Sequence, residues 1–402
     1  MPPPRAPIAP PDPAAPDPAA ATGDPAATGE GGERPPTGAD PPAPGRDPAG
    51  EGAVGAAGVV ARARAFLARH GHRLWWLHSV YAAALGFGMI LFAQKGFLRA
   101  RWLLVSGLLA WLLMVVFFRH FGSGADQPRF HAVWPGARTR FLVMTYVLKN
   151  LYQGMLFFLL PFYWKSSTAG AHNGWFFLLL ALCALVSTLD LVFDRVLMKW
   201  KPLASAFYAI TLFGTLNLAL PALLPETRTL VTLLSAAGIT AVAFLSLHVR
   251  LSHLKKRLHA VLLVLAVGAS VGLAYVARRA IPPVPMYVAI GAVGPMKLAD
   301  GRLAMEVRSL HRSVVQKLIA VTDVVVPGGE GDRLQHVWRH EGEVVKRSPD
   351  DDAHVAGPSG TVRLRSSLAG DKLPADLVGG WTVDVETEDG QLVGRVAFTV
   401  TE

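Results

Sequence analysis

A lysine and an aspartate set inside apolar sequence are where chemistry would first be sought in this chain of 402 residues. Lys149 and Asp190 each interrupt a long apolar run, where an isolated charge costs about 2.5–3.5 kcal/mol on insertion scales. The loop joining the two runs, Lys165–Gly174, has its midpoint between residues 169 and 170, and the two charges are equidistant from it. Helices rising uniformly from that loop would hold both at one depth, as an ion pair. Thr145, Lys149 and Gln153 recur at i, i+4 and i+8 on one helical face, and Cys183, Ser187, Asp190 and Asp194 form a matching stripe. One reading is a pair that fixes helix register. The other is a proton or solute path.

Further groups carry less. His336, Trp338 and His340 alternate on one face of an expected strand, but i and i+4 on a strand lie ~13 Å apart. That spacing bars a shared metal and leaves a surface patch. Asp350-Asp351-Asp352 lacks the spaced ligands and glycine of a calcium loop, so a solvated turn is expected. Cys183 is the one cysteine, which excludes an intramolecular disulfide and favours a buried apolar role. No phosphate loop, Gly-x-Ser-x-Gly, His-Glu-x-x-His or dinucleotide fingerprint occurs. No catalytic step, metal or cofactor is therefore expected.

The elements that must position these residues follow from the distribution of charge and apolarity. The first 50 residues hold 16 of the 30 prolines, and residues 1–55 carry 3 basic and 8 acidic groups. Such a segment buries too little to offset its ordering entropy and is expected to be disordered. It has no basic start followed by an apolar stretch, so a signal peptide is not expected. Residues 56–279 carry 23 basic and only 4 acidic groups among long apolar runs, as in a membrane-embedded protein. Seven runs approach the ~20 residues that cross the hydrocarbon layer: Leu74–Gln94, Trp102–Phe118, Phe141–Trp164, Trp175–Phe193, Leu203–Leu224, Leu230–Arg250 and Ala260–Ala277. Trp75, Trp76, Trp102, Trp164 and Trp175 mark their ends as an interfacial belt. Val59–His70, with Arg62, Arg64 and Arg69 beside Phe66 and Leu67, suits an amphipathic helix on an anionic surface. Pro161 and Pro221 near span ends are expected to kink helices.

Loop charges give the orientation. With the N-terminus inside, the inner segments carry fifteen Lys and Arg and the outer ones seven. That asymmetry puts the tail inside and the C-terminal domain outside.

From Met286 the pattern changes to period two. Trp381, Val383 and Val385 alternate with polar residues, Glu388-Asp389-Gly390 makes a turn, and Val396, Phe398 and Val400 alternate again. Leu334–His340 and Glu343–Lys346 around Glu341-Gly342 read as a second hairpin. Leu303–Arg308, Leu318–Val326 and Thr361–Arg365 add strands. About seven short strands in residues 281–402 predict a β-sandwich. This part is acidic, 17 acidic against 13 basic groups from residue 280 on, which argues against nucleic acid.

Pro282-Pro283-Val284-Pro285, Val324-Val325-Val326-Pro327-Gly328-Gly329, His336-Val337-Trp338-Arg339-His340, Arg363-Leu364-Arg365-Ser366-Ser367, Gly380-Trp381 and Glu388-Asp389-Gly390 together carry a resemblance. Residues 70–402 resemble an uncharacterised family of bacterial polytopic membrane proteins with a C-terminal extracytoplasmic β domain. The resemblance implies the same architecture in a bacterial inner membrane and carries over no functional residues. The expectation is thus a disordered tail (1–55), a seven-helix transmembrane bundle (56–280) and a β-sandwich (281–402). Its function would be to present a binding or assembly module, with the lipid bilayer and an envelope protein or glycan as partners. The alternative is a transporter or channel using the Lys149/Asp190 stripe.

Overall fold

The computed structural model describes residues 84, 88, 100–121, 137–189, 192–249, 257–296, 303–328, 330–349, 354–355 and 360–402. The tail 1–55, Val59–His70, Asp350-Asp351-Asp352, and Leu74–Gln94 save Ala84 and Gly88 lie outside the described residues. Six helices occur among those described: α1 (Arg101–Phe121), α2 (Ala137–Ser166), α3 (Gly174–Thr188), α4 (Lys201–Leu223), α5 (Thr229–His248) and α6 (Arg257–Val276). All but α3 are long and apolar enough to cross a membrane.

α3 departs from its expected span. It stops at Thr188, with Leu189 in extended geometry, and a π-helical turn follows at Phe193–Leu197. Fifteen residues rise about 22 Å, short of the ~30 Å hydrocarbon layer. The uniform rise assumed for Asp190 therefore ends before that residue is reached.

α4 is the hub, with 67% of its span buried. Its small and hydroxyl-bearing residues let neighbours approach closely. Thr211 and Thr215 donate back to the carbonyls of Phe207 and Thr211 at 2.9 and 2.7 Å, so neither hydroxyl is stranded. Tyr163 of α2 donates to the Gly214 carbonyl at 3.0 Å and accepts from Asn217 at 3.1 Å. A Cβ on Gly214 would come within 3.1 Å of Leu180 on α3. Pro161 and Pro221 sit within the continuous helices α2 and α4. α6 is the opposite case, with 6% of its span buried and apolar side chains exposed nearly all round, a surface suited to lipid.

Among the described residues nine strands build the C-terminal part: β1 (Tyr287–Gly294), β2 (Ser309–His311), β3 (Lys317–Val325), β4 (Leu334–His340), β5 (Glu343–Pro349), β6 (His354–Val355), β7 (Thr361–Ala369), β8 (Gly379–Thr387) and β9 (Leu392–Thr401). They form a four-stranded sheet, β1-β3-β7-β6, and a five-stranded one, β2-β9-β8-β4-β5. Among the described strands only β2 pairs parallel, against β9. Both expected hairpins form, with Trp381 opposite Phe398 and Glu341 and Gly342 at positive φ in the β4–β5 turn. Trp381, Val383, Phe398 and Val400 share one buried cluster with Leu318, Trp338 and Leu368, so the inner faces of both sheets meet. Leu303–Arg308 is not a strand. Its Ala304 and Val307 N–H groups bond singly to the carbonyls of Met296 and Val293, and pairing resumes only at β2.

The histidine-bearing face of β4 is also corrected. His336 and Trp338 are buried rather than part of a surface patch. The reason is the charge on the opposite face. Arg339 bridges Asp384 and Glu386 at 2.9 Å each, Arg395 meets Asp384 at 2.6 Å, and Arg347 meets Glu386 at 3.2 Å. That network takes the outward face, and strand alternation turns His336, Trp338 and His340 inward. His340 stacks on Trp381 at 4.6 Å and its Nε2 lies 3.0 Å from the Val378 carbonyl.

Candidate functional site

Two places gather polar side chains in otherwise apolar surroundings. The first is the α2–α3 contact. Thr145, Lys149, Gln153 and Ser187 are all buried, and Gln153 donates to the Ser187 carbonyl at 2.9 Å. The Ser187 hydroxyl turns back to Ala184, and Lys149 Nζ lies 6.0 Å from the Tyr146 ring. Asp194 is half-buried in the π-helical turn. Asp190 lies outside the described residues, so the ion pair is not placed. The helices do bring the expected α2 stripe onto α3, through Gln153.

The second place is the seam between bundle and β domain, whose contacts were not anticipated. The α2–α3, α4–α5 and post-α6 connections, which loop charge assigned to the β-domain side, all meet the sandwich. Asn173, fully buried at the start of α3, accepts from the Thr168 N–H and donates to the Leu392 carbonyl, each at 3.0 Å. Glu330 N–H donates to the Pro225 carbonyl at 2.7 Å. Arg228 meets Glu388 at 2.6 Å, and Arg278 donates to the Asp389 carbonyl at 2.9 Å. Thr229 opens α5, where main-chain N–H groups lack helical acceptors, and its partner is Asp332 of the sandwich. Its hydroxyl also lies 3.0 Å from Gln391 Oε1. Burial, opposed by the Thr229 bonds and reinforced by nearby Asp389 and Glu388, raises the Asp332 carboxyl above its ordinary value. A Cβ on Gly328 would stand 2.8 Å from the Pro221 carbonyl oxygen. The loop before β4 can therefore come this close only with glycine there.

These residues escaped sequence reasoning because each is a single polar side chain in a loop, with its partner up to 219 positions away. Asn173 stands at a helix start, where Asn is a common signal, but nothing local tells that it would bond across the seam. Inside the sandwich, His336 sits 2.8 Å from Thr322 Oγ1 and 2.7 Å from Ser366 Oγ. Burial lowers its pKa from 6.5 to about 4. Among the described residues no three His, Cys, Asp or Glu side chains converge as a metal centre requires.

Residues 59–313, well over half of the chain, match the model described as Family of unknown function (DUF5924). The chain belongs to that family. Residues 331–400 match a second model, Protein of unknown function (DUF2914). Neither a curated protein nor a solved structure matches the chain. The boundary between the two matches cuts through the sandwich of this DUF5924 member. β1 and β2 fall in the DUF5924 match, β4 to β9 in the other, and β3 between them. Since β1 pairs with β3, β3 with β7, and β2 with β9, the two matched stretches complete one domain jointly.

Proposed function

We propose that this protein is a multi-pass membrane protein whose helical bundle seats a β-sandwich as a fixed, outward-facing binding or assembly module. The observation that carries the reading is the seam. A domain merely tethered by residues 281–285 would need neither the buried Asn173 contact to Leu392 nor the capping of α5 by Asp332. Counting Leu74–Gln94 as a first span, and α3 together with the π-helical turn at Phe193–Leu197 as one crossing, the bundle would make seven crossings, which would put tail and sandwich on opposite sides. The fifteen-to-seven excess of basic residues supports a tail in the bacterial cytoplasm and a sandwich outside the inner membrane. The module's partner would be an envelope protein or glycan, with no nucleic acid and no catalytic step assigned.

Two measurements test this. A reporter active only outside the cytoplasm, fused after Glu402, should be active. The pair Thr229→Cys and Asp332→Cys should cross-link under oxidation in intact membranes, because the native side chains touch. A reporter active only inside would overturn the orientation, and no cross-link would overturn the seated module.

A transporter is the second reading, favoured by the buried Thr145, Lys149 and Gln153 beside an α3 that breaks at Leu189. Broken helices within bundles often mark solute sites. Solute flux in proteoliposomes that disappears in Lys149→Met would support it.

A further inference from the structure

Two cavities adjoin where the α2–α3 connection meets the sandwich, and they share Lys165, Ser167, Thr168, Ala169 and Val288. Their volumes are about 840 Å³ on the bundle side and about 700 Å³ on the sandwich side, the size range of small-molecule sites. The two differ in chemistry. The bundle-side cavity is walled by Trp164, Trp175, Phe177 and Leu178. Three of these are well exposed, Trp164 at 68%, Trp175 at 69% and Leu178 at 53%, so it opens toward the surface that faces lipid. Trp164 and Trp175 sit at the ends of their apolar helices, the level at which aromatic side chains meet lipid headgroups. The sandwich-side cavity is edged by Lys165, Arg308 and Arg395, with Glu306 the single acidic side chain. Arg395 is already bound to Asp384. Lys165 and Arg308 have no carboxylate partner among the described residues, and Lys165 Nζ sits 5.4 Å from the Tyr287 ring where the cavities join. The Ser167 and Thr168 hydroxyls, in the stretch common to both, are withdrawn from solvent and lack a hydrogen-bond partner. Unmatched hydroxyls of this kind are costly unless a ligand or water completes them.

From this arrangement we infer that the seam is a binding site for an anionic phospholipid of the adjoining leaflet. An acyl chain lies along Trp164, Trp175 and Leu178, and the phosphate lies between Lys165 and Arg308. A lipid enters sideways and need not leave its leaflet, since the apolar cavity already opens at headgroup level. The charge decides the headgroup. Two cations without a carboxylate partner, against one carboxylate, favour an anion, and a phosphodiester supplies acceptors for both. The site rests on the seated-module reading, because Arg308 and β9 form its upper wall only while the sandwich stays docked.

The test is native mass spectrometry of the full chain in detergent, titrated with dioleoylphosphatidylglycerol, dioleoylphosphatidylcholine or inorganic phosphate. One phosphatidylglycerol should bind at least about tenfold more tightly than phosphatidylcholine, and inorganic phosphate should neither bind comparably nor displace it. Lys165→Gln with Arg308→Gln should remove the preference, while Lys199→Gln at the far end of the bundle should retain it. Leu178→Trp, which fills the apolar cavity and keeps every charge, should weaken both lipids, so the idea stays open to refutation even if the double variant misfolds. Equal binding of the two lipids overturns the site, as does a preference that survives the Lys165 and Arg308 changes, or phosphate binding as well as the lipid. If the Thr229–Asp332 cross-link forms and lipid selectivity is absent, only this site fails. If the cross-link is also absent, the seated module fails with it.

Discussion

Asp332, in the loop before β4, caps α5 from another domain: its Oδ2 accepts from the Thr229 main-chain N–H at 2.9 Å and from the Thr229 hydroxyl at 2.7 Å. A carboxylate at a helix N-terminus satisfies an orphan donor and favours the positive end of the helix dipole. Here the contact also joins the bundle to the sandwich, so helix stability and domain seating depend on one side chain.

Asp332→Ala should therefore lower the stability of the full chain in detergent by about 1–2 kcal/mol, the usual range for a lost cap. It should also expose the sandwich–bundle loops to limited proteolysis. The Asp332 pKa is raised in the folded state, so its charged form is disfavoured there. Stability from this group is greatest below the unfolded value of about 3.8 and declines as pH rises from there through the folded value. Asp332→Asn keeps an acceptor oxygen and should flatten that slope in denaturation curves taken across the acid range. A slope unchanged in the variant would assign the pH dependence elsewhere.

The sandwich core gives a second expectation. Trp381 and Phe398 are buried and stacked at 6.0 Å, and Phe398→Ala should cost about 3–5 kcal/mol. Residues 281–402 contain all nine strands and should fold alone. Residues 331–400, the stretch matched by DUF2914, lack β1, β2 and β3 and leave one edge each of β7 and β9 unpaired. That shorter piece should show no cooperative unfolding by circular dichroism. A cooperative transition in it would mean that β4, β5, β8 and β9 suffice without β1, β2 and β3.

His336 supplies a pH dependence of opposite sign to that of Asp332. Its folded value of about 4 lies below the ordinary 6.5, so the folded state holds the neutral ring while the unfolded chain takes up a proton. The stabilisation is complete above about 6.5 and is lost as pH falls from there toward 4. At about 1.4 kcal/mol per pKa unit, the loss is about 3 kcal/mol. In isolated 281–402, His336→Gln should be less stable at pH 7 yet flatter between pH 7 and 4. Equal slopes in the two proteins would show that the ring is already protonated or reached by solvent.

Much of this architecture was legible because lipid and strand pairing impose simple periods. The apolar runs behind α1, α2, α4, α5 and α6 are long enough to be read by length alone. Alternation at Trp381, Val383 and Val385 marks a strand without reference to any partner. The end of α3 was not legible, since Leu189, Leu191, Val192 and Phe193 continue the apolar run past Thr188. The inward turn of His336 and Trp338 was hidden for a related reason. Both strand faces of β4 carry polar residues, and what decides between them is the pairing of Arg339 with Asp384 and Glu386, 45 and 47 positions away. The seam residues Asn173, Thr229, Asp332 and Gln391 follow no period at all, because a contact between two finished domains leaves no repeat in either.

The intramembrane lysine carries the last prediction. Lys149 is buried, with Thr145 and Gln153 on its own face and Gln153 bonded to α3, in a helix where an uncompensated ammonium is costly. If Asp190 is its counter-charge, each single change strands the other group, so Lys149→Met and Asp190→Leu should each reduce folded yield from membranes. Combining them should restore most of the yield, because two apolar side chains suit the bilayer and no charge is left alone. The two readings of the stripe then separate cleanly. A register pair predicts that the double variant is indistinguishable from wild type in stability and in sandwich seating, as measured by the Thr229–Asp332 cross-link. A proton or solute path predicts a folded, cross-linkable double variant that has lost flux. Yield that falls additively in the double variant would break the pairing itself, since independent sites add and coupled ones do not.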